Sequence, residues 1–88
     1  PDYMNKLIVY MKSGVDIAAV AGVDYDVFTG KLIPYDSLIY SDGKYEWTSE
    51  LIYYVEKYGL LPQEDFIKHA LSEGRVKITE EDIFGKLS

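Results

Sequence analysis

The stretch of residues 47–59 carries a helix signal at each end, and it constrains the fold more than any other segment. Thr48 or Ser49 is suited to cap the first turn, and Glu50 places a negative charge where the helix dipole favours one. Gly59 is suited to end the helix in the left-handed conformation. Helical spacing then predicts a broad buried stripe, formed by Leu51, Ile52, Tyr54, Val55, Tyr58 and Leu61.

Tyrosines fill several positions of this helix where leucine is usual. The chain has nine Tyr against one His and no Cys. Tyrosine offers a large, stiff apolar surface with a polar tip, which suits a partly wet protein interface. Its ordinary pKa of about 10 makes it a poor general base at neutral pH. We expect Tyr54 and Tyr58 to pack in the core, and Tyr53 to be exposed beside Glu56 and Lys57.

Length and composition predict one small α+β domain over residues 1–88, with residues 1–3 as a vector remnant ahead of Met4. A chain of this size buries roughly 60–65% of its unfolded surface, which suffices for one core. No leader pattern opens the chain, and no apolar run is long enough to span a bilayer. The lack of cysteine fits a reducing compartment, so we expect a cytoplasmic protein.

Short apolar runs predict strands in the first half of the chain. Residues 6–11 are rich in β-branched and aromatic side chains, apolar after Lys6, and are followed by a Ser-Gly turn, which predicts a buried strand that pairs with Val15–Ala19. Residues 23–28 alternate with a period of two and predict a further strand, and Thr29-Gly30-Lys31 predicts a bend after it. Asp42-Gly43 lies between two such runs, which predicts a hairpin whose two turn residues both have positive φ.

The second half predicts helices. Pro62 is suited to the first position of a second helix that ends at Gly74, and residues 75–78 predict a last short strand. Residues 79–82 have the spacing of a capping box. Strands followed by helices favour an antiparallel sheet of three to five strands with two consecutive helices packed on one face.

The net charge of −6 disfavours nucleic acids and anionic membranes as direct partners, because such binders need a basic stripe. The nine Lys and Arg residues are scattered singly along the chain. Two interpretations of the acidity remain open. It serves solubility, or it marks an inhibitor that mimics nucleic acid on a partner protein.

Residues that carry chemistry are few. His69 is the only histidine and follows Asp65 by four residues, which predicts a surface contact between the two without a nucleophile. Asp16, Asp24 and Asp26 would form a Mg²⁺ site if their strands converge, but a solvated acidic face is the simpler interpretation. No phosphate-binding glycine motif occurs in the sequence. We expect no catalytic residue, metal or cofactor.

Aromatic residues near the Asp42-Gly43 turn suggest a docking surface, with acidic side chains on its rim. We therefore expect a non-enzymatic module that binds another protein, with self-association left open. The alternative is the acidic inhibitor, and a Mg²⁺-dependent enzyme ranks third. The expected partner-binding residues are Tyr40, Tyr45, Trp47, Tyr53, Glu46 and Glu50.

Overall fold

The computed structural model describes residues 1–85, which form an α+β fold with a three-stranded antiparallel sheet. The sheet has the order β1-β2-β3, and its three strands are at the low end of the predicted range. In chain order the elements are α1 (Met4–Lys12), β1 (Val15–Ala19), β2 (Leu38–Ser41), β3 (Glu46–Thr48), α2 (Ser49–Tyr58), α3 (Glu64–Glu73) and α4 (Glu80–Phe84).

The first element is a helix, so the prediction of a strand over residues 6–11 is wrong. Leu7, Tyr10 and Met11 have the helical spacing i, i+3, i+4, and they are the residues that α1 buries. The helical period was not visible in the sequence, because this run is apolar at exposed as well as buried positions. Val9, for example, is half exposed in α1. As a helix, the segment packs against α2 and α3.

β1 confirms the predicted strand at Val15–Ala19, but its partner is β2 rather than residues 6–11. Its register shifts between Asp16 and Ala18. Residues 23–28 do not form the predicted strand, since Tyr25 makes only an isolated bridge to Leu32, and residues 75–78 form no strand. The chain between β1 and β2 is therefore a long connection.

The hairpin at Asp42-Gly43 is confirmed, since β2 and β3 pair across it with Tyr40 opposite Trp47. Gly43 has a φ of 91°, whereas no residue other than glycine in the described chain has a positive φ. The predicted turn type is therefore wrong. Asp42 closes the turn with its carboxylate, which accepts the backbone N–H groups of Lys44 and Tyr45 at 2.9 and 2.6 Å.

The helix ends follow their local signals closely. Thr48 caps α2 by accepting the N–H of Leu51 at 3.1 Å, and Gly59 ends α2 with a φ of 70°. Thr79 forms the capping box of α4, as predicted. α3 begins after Gln63, so Pro62 lies outside the helix rather than at its first position.

The core lies among the first three helices and the inner side of the hairpin. α2 packs on β2 and β3, while α3 packs on α1. The predicted placement of two consecutive helices on one face of the sheet is not confirmed. No helix within residues 1–85 is long and apolar enough to cross a membrane. The buried cluster consists of Leu7, Tyr10, Met11, Trp47, Ile52, Val55, Phe66, Ile67 and Ala70.

Candidate functional site

Trp47 is a core residue and not part of an exposed patch, which corrects its predicted place in the docking surface. Its side chain is only 4% exposed and packs against the rings of Tyr10 and Phe66. The indole Nε1–H donates to the carbonyl of Met11 at 3.0 Å. Its polar tip is thus satisfied inside the protein, as a buried indole requires.

Tyr53 and Tyr58 have the opposite exposure to the one predicted. Tyr53 is 7% exposed, whereas Tyr58 is 41% exposed. The helical wheel placed Tyr53 on the polar side of α2, but the connection between β1 and β2 folds over it. Tyr35 from that connection packs edge-on against the Tyr53 ring. A residue on a polar arc is buried here because another segment covers it.

The remaining predicted partner-binding residues lie around the hairpin. Tyr40 is half-buried opposite Trp47. Tyr45 is half-buried and packs against the rings of Phe66 and His69. Glu46 is exposed. These side chains border the core, and Glu50 at the start of α2 is half-buried.

Asp26 is the centre of a polar cluster that the sequence did not reveal. Its carboxylate is fully buried and accepts the backbone N–H groups of Phe28 and Thr29 at 2.7 and 3.1 Å. The hydroxyls of Tyr53 and Tyr58 donate to its other oxygen at 2.7 and 2.5 Å. We call these five residues the Asp26 clamp, because they join the connection to α2.

Hydrogen bonds keep the Asp26 clamp in one protonation state. Burial acts to raise the pKa of Asp26, but the hydrogen bonds from Tyr58, Tyr53 and the backbone outweigh it and hold the pKa well below its ordinary value. The bond to this carboxylate raises the pKa of Tyr58 to about 12. Lys57 donates to the Tyr53 hydroxyl at 3.0 Å, which raises the lysine pKa. At neutral pH the clamp therefore holds an ionised carboxylate beside the neutral hydroxyl of Tyr58.

The clamp holds a segment whose large apolar side chains face solvent. We call residues 23–32 the apolar loop. Val27 is 77% exposed and Phe28 is 72% exposed, although Phe28 leans edge-on against Tyr54 and Tyr58. The N–H of Val27 donates to the Tyr54 hydroxyl at 2.9 Å. The large apolar residues of this loop that are more than half exposed are Val23, Tyr25, Val27, Phe28 and Leu32.

The sequence contained one signal for this loop. Asp26 precedes Thr29 and Gly30, and an aspartate that accepts the N–H groups two and three residues later is a frequent turn device. The bend predicted at residues 29–31 overlaps the turn at residues 27–29, but the alternation of residues 23–28 gave no indication that Asp26 closes that turn. The tyrosine partners lie 27 and 32 residues further on, where no local pattern points to them.

Asp42 forms a second buried cluster beside the hairpin turn. Tyr10 donates to its Oδ2 at 2.6 Å, and His69 Nε2 lies 3.0 Å from the same oxygen. Burial acts to raise the pKa of Asp42, but the bonds from Tyr10 and the backbone, with the nearby His69, lower it. We call these residues, with the N–H groups of Lys44 and Tyr45, the Asp42 clamp.

His69 is partly buried and pairs with Asp42 rather than with Asp65, so its expected place on the surface is wrong. A cleft of about 570 Å³ opens beside it, lined by side chains of both charges. Asp42 fixes one ring nitrogen of His69, but no serine or threonine hydroxyl in residues 1–85 bonds to that ring.

The three aspartates considered for a Mg²⁺ site do not converge. Asp16 is exposed on β1, Asp24 is half-buried, and Asp26 is buried in its clamp. Among the described residues, no three acidic, histidine or cysteine side chains form a group that would hold a metal ion. Comparison of the chain with models of known families, with curated proteins and with solved structures finds no match.

Proposed function

We propose that this chain is a small cytoplasmic protein-interaction module, without catalytic activity, that binds another protein through the apolar loop. The observation that carries the proposal is the combination of exposed Val27 and Phe28 with a backbone that Asp26 fixes from beneath. Exposed apolar groups that lie close together on a small domain are typical of interaction sites.

The Asp26 clamp favours binding because it orders the loop before a partner arrives. A flexible loop loses conformational freedom when it docks, and that loss subtracts from affinity. Here the carboxylate bonds two consecutive N–H groups, and Phe28 already rests on two tyrosine rings. Much of the ordering cost is met when the chain folds.

The loop has the aromatic and acidic character that the sequence predicted for the hairpin. Tyr25 and Phe28 supply exposed aromatic rings, Asp24 lies between Val23 and Tyr25, and the chain carries a net charge of −6. The partner best suited to it has an apolar pocket with basic side chains on its rim.

The alternative function, an acidic inhibitor that mimics nucleic acid, has less support. A mimic needs free carboxylates spaced along one face, as phosphates are. Within residues 1–85, six of the fifteen acidic residues instead bond to other groups of the protein. These are Asp26, Asp42, Glu56, Glu64, Glu73 and Asp82.

Affinity capture from the native host, followed by calorimetry with the purified partner, tests the proposal. Val27→Ser and Phe28→Ser should each weaken binding by about tenfold or more, equivalent to about 1.4 kcal/mol of lost apolar contact. Val9→Ser is the matched control, because Val9 is an exposed valine on α1, outside the loop. It should leave affinity unchanged.

Two results would redirect the proposal. If Tyr45→Ser abolishes binding while Val27→Ser does not, the partner docks on the hairpin, as the sequence predicted. If affinity falls steeply between low and high salt and the loop variants bind normally, charge drives the interaction. That second result would favour the acidic inhibitor.

A further inference from the structure

The cleft of about 570 Å³ beside His69 has an aliphatic wall. It is bordered by β1, the hairpin turn, the end of α3 and the short helix α4. Three isoleucines line it, namely Ile17, Ile78 and Ile83. All three are half-buried, and none belongs to the buried core cluster. Clefts of this size hold small organic ligands, so the isoleucines offer apolar surface to one.

Hydrogen bonds hold two walls of the cleft in place. The N–H of Val76 donates to Ser13 Oγ at 3.0 Å, which ties the segment after α3 to the end of α1. On the hairpin side, Asp42 bonds the backbone of the turn and contacts Nε2 of His69 at 3.0 Å. A ligand that enters a preformed cleft loses less affinity to the ordering of its site.

Arg75 is the one basic side chain of this cleft that makes no contact within residues 1–85. It is also the only arginine in the sequence, and it has no ion pair, hydrogen bond or ring contact in the described chain, although fifteen residues are acidic. The other basic residues of the cleft have partners: His69 has Asp42, Lys77 has Glu73, and Lys44 lies over the ring of Tyr45.

The chemistry of a guanidinium indicates what Arg75 would bind. Its planar fork of N–H donors matches the two oxygens of a carboxylate, and it bonds such a group with better geometry than a lysine does. An unpaired guanidinium beside aliphatic side chains therefore suits a ligand that has an acidic end and an apolar body.

We propose that this cleft binds a small carboxylate with an aliphatic body. The carboxylate bonds to Arg75, and the body packs against the three isoleucines. Four acidic residues also line the cleft, of which Glu46 is exposed. They repel a phosphate, with its charge near −2, more strongly than a singly charged carboxylate. This ligand site is separate from the protein-binding role of the apolar loop.

An NMR titration of the isotope-labelled full chain with isocaproate tests the inference, at about 100 mM NaCl. Backbone signals of Gly43 and Ile78 should shift, with a Kd of about 1 mM for a ligand of so few atoms. Acetate has the carboxylate without the body, and isocaproamide has the body without the charge. Each should bind at least about tenfold more weakly than isocaproate.

Arg75→Gln should weaken isocaproate binding at least about fivefold, because it removes the guanidinium. Arg75 is exposed, so this variant should fold normally, which circular dichroism checks. Lys6→Gln is the matched control, since it removes one positive charge from an exposed residue of α1 outside the cleft. It should leave the affinity unchanged.

Three results would overturn the inference. One is the absence of shifts around the cleft up to about 20 mM isocaproate. Another is equal binding by the wild type and the Arg75→Gln variant. The third is binding of acetate or inorganic phosphate as tight as that of isocaproate, which would mean that charge alone attracts the probe. None of these outcomes depends on the apolar loop.

Discussion

Asp26 and Asp42 hold two turns of this chain in the same way, yet the turns face different surroundings. Each carboxylate accepts with one oxygen the backbone N–H groups two and three residues later. Each contacts with its other oxygen two side chains from distant elements. Both carboxylates have lowered pKa values, although burial acts in the other direction.

The two turns differ in the residues that they carry. After Asp42, Tyr45 packs on Phe66 and Trp47 lies in the core. After Asp26, Val27 and Phe28 remain exposed. The hairpin is thus fixed by its clamp and by apolar packing in the core, whereas the loop is held by its clamp and by backbone hydrogen bonds of its own. A polar anchor allows apolar side chains to be held in place without being buried.

The largest expected effect is on stability, and it distinguishes the buried residue Tyr53 of the Asp26 clamp from the partly exposed Tyr58. Tyr53→Ala should lower the free energy of unfolding by about 4 kcal/mol, because it truncates a buried aromatic side chain and removes a hydrogen bond to Asp26. Tyr58→Ala should cost clearly less, since Tyr58 is partly exposed. Urea unfolding measures both.

Tyr53→Phe is the control, because it removes only the hydroxyl and should cost much less than Tyr53→Ala. Equal losses for the two alanine variants would mean that Tyr53 and Tyr58 support the fold equally. The distinction between a buried Tyr53 and a partly exposed Tyr58 in the Asp26 clamp would then be wrong.

Removing each aspartate tests the two clamps directly. Asp42→Ala should lower the free energy of unfolding by about 3 kcal/mol, because it leaves Tyr10 and the turn N–H groups without their buried acceptor. Asp26→Ala should chiefly release the apolar loop, with the core intact. Hydrogen exchange of the Phe28 amide should then accelerate, while that of Tyr45 should not. Loss of protection at Tyr45 as well would show that the clamps act together.

Local signals explain what the sequence predicted. The hairpin at Asp42-Gly43, the Thr48 cap and the capping box at Thr79 each lie within a few residues, so their chemistry is visible in the sequence. The strand prediction for residues 6–11 was wrong because an apolar run without polar breaks has no visible period. Only the neighbouring helices decide that Leu7 is buried while Val9 is half exposed.

The Asp26 and Asp42 clamps were harder to predict, because the residues that bond to each aspartate are distant from it in sequence. Tyr53 and Asp26 are 27 residues apart, and Tyr10 and Asp42 are 32 apart. A helical wheel describes α2 alone and gives no indication that Asp26 and Tyr35 contact Tyr53. Burial on this side of α2 is a tertiary effect, which overrides the pattern of one helix.

Alanine substitutions of the glycines in the two turns should have smaller effects on stability. Gly43 and Gly30 have φ values of 91° and 72°, so alanine is strained at both positions. A Cβ on Gly43 would also lie 2.9 Å from Cδ1 of Ile78, whereas one on Gly30 would meet no atom within 4 Å. Gly43→Ala should cost about 2 kcal/mol and Gly30→Ala about 1 kcal/mol by thermal unfolding.

Ile78→Val isolates the steric part of that difference, because it removes the methyl group that the new Cβ would meet. In this background the two alanine substitutions should cost nearly the same. A difference that persists would have to come from the backbone of the hairpin turn.

The smallest expected effect is a difference in the alkaline pH at which the two turns open. Tyr58 has a folded pKa of about 12, above its ordinary value of 10.0. Stabilisation from a raised pKa is fully present below the unfolded pKa and is lost as pH rises through the folded one. The apolar loop should therefore loosen between about pH 10 and pH 12. Burial and the bond to Asp42 raise the pKa of Tyr10 as well.

Two spectroscopic signals distinguish the turns during that titration. Tyrosinate absorbance reports the ionisation of tyrosines, and Tyr58→Phe should remove one group that titrates near pH 12. Trp47 is the only tryptophan in the sequence and packs against Tyr10, so its fluorescence reports the Asp42 side. The fluorescence of Trp47 should change only at a higher pH than the tyrosinate absorbance of Tyr58, because Tyr10 is buried and Tyr58 is partly exposed. Simultaneous changes would mean that the loop and the hairpin open as one unit.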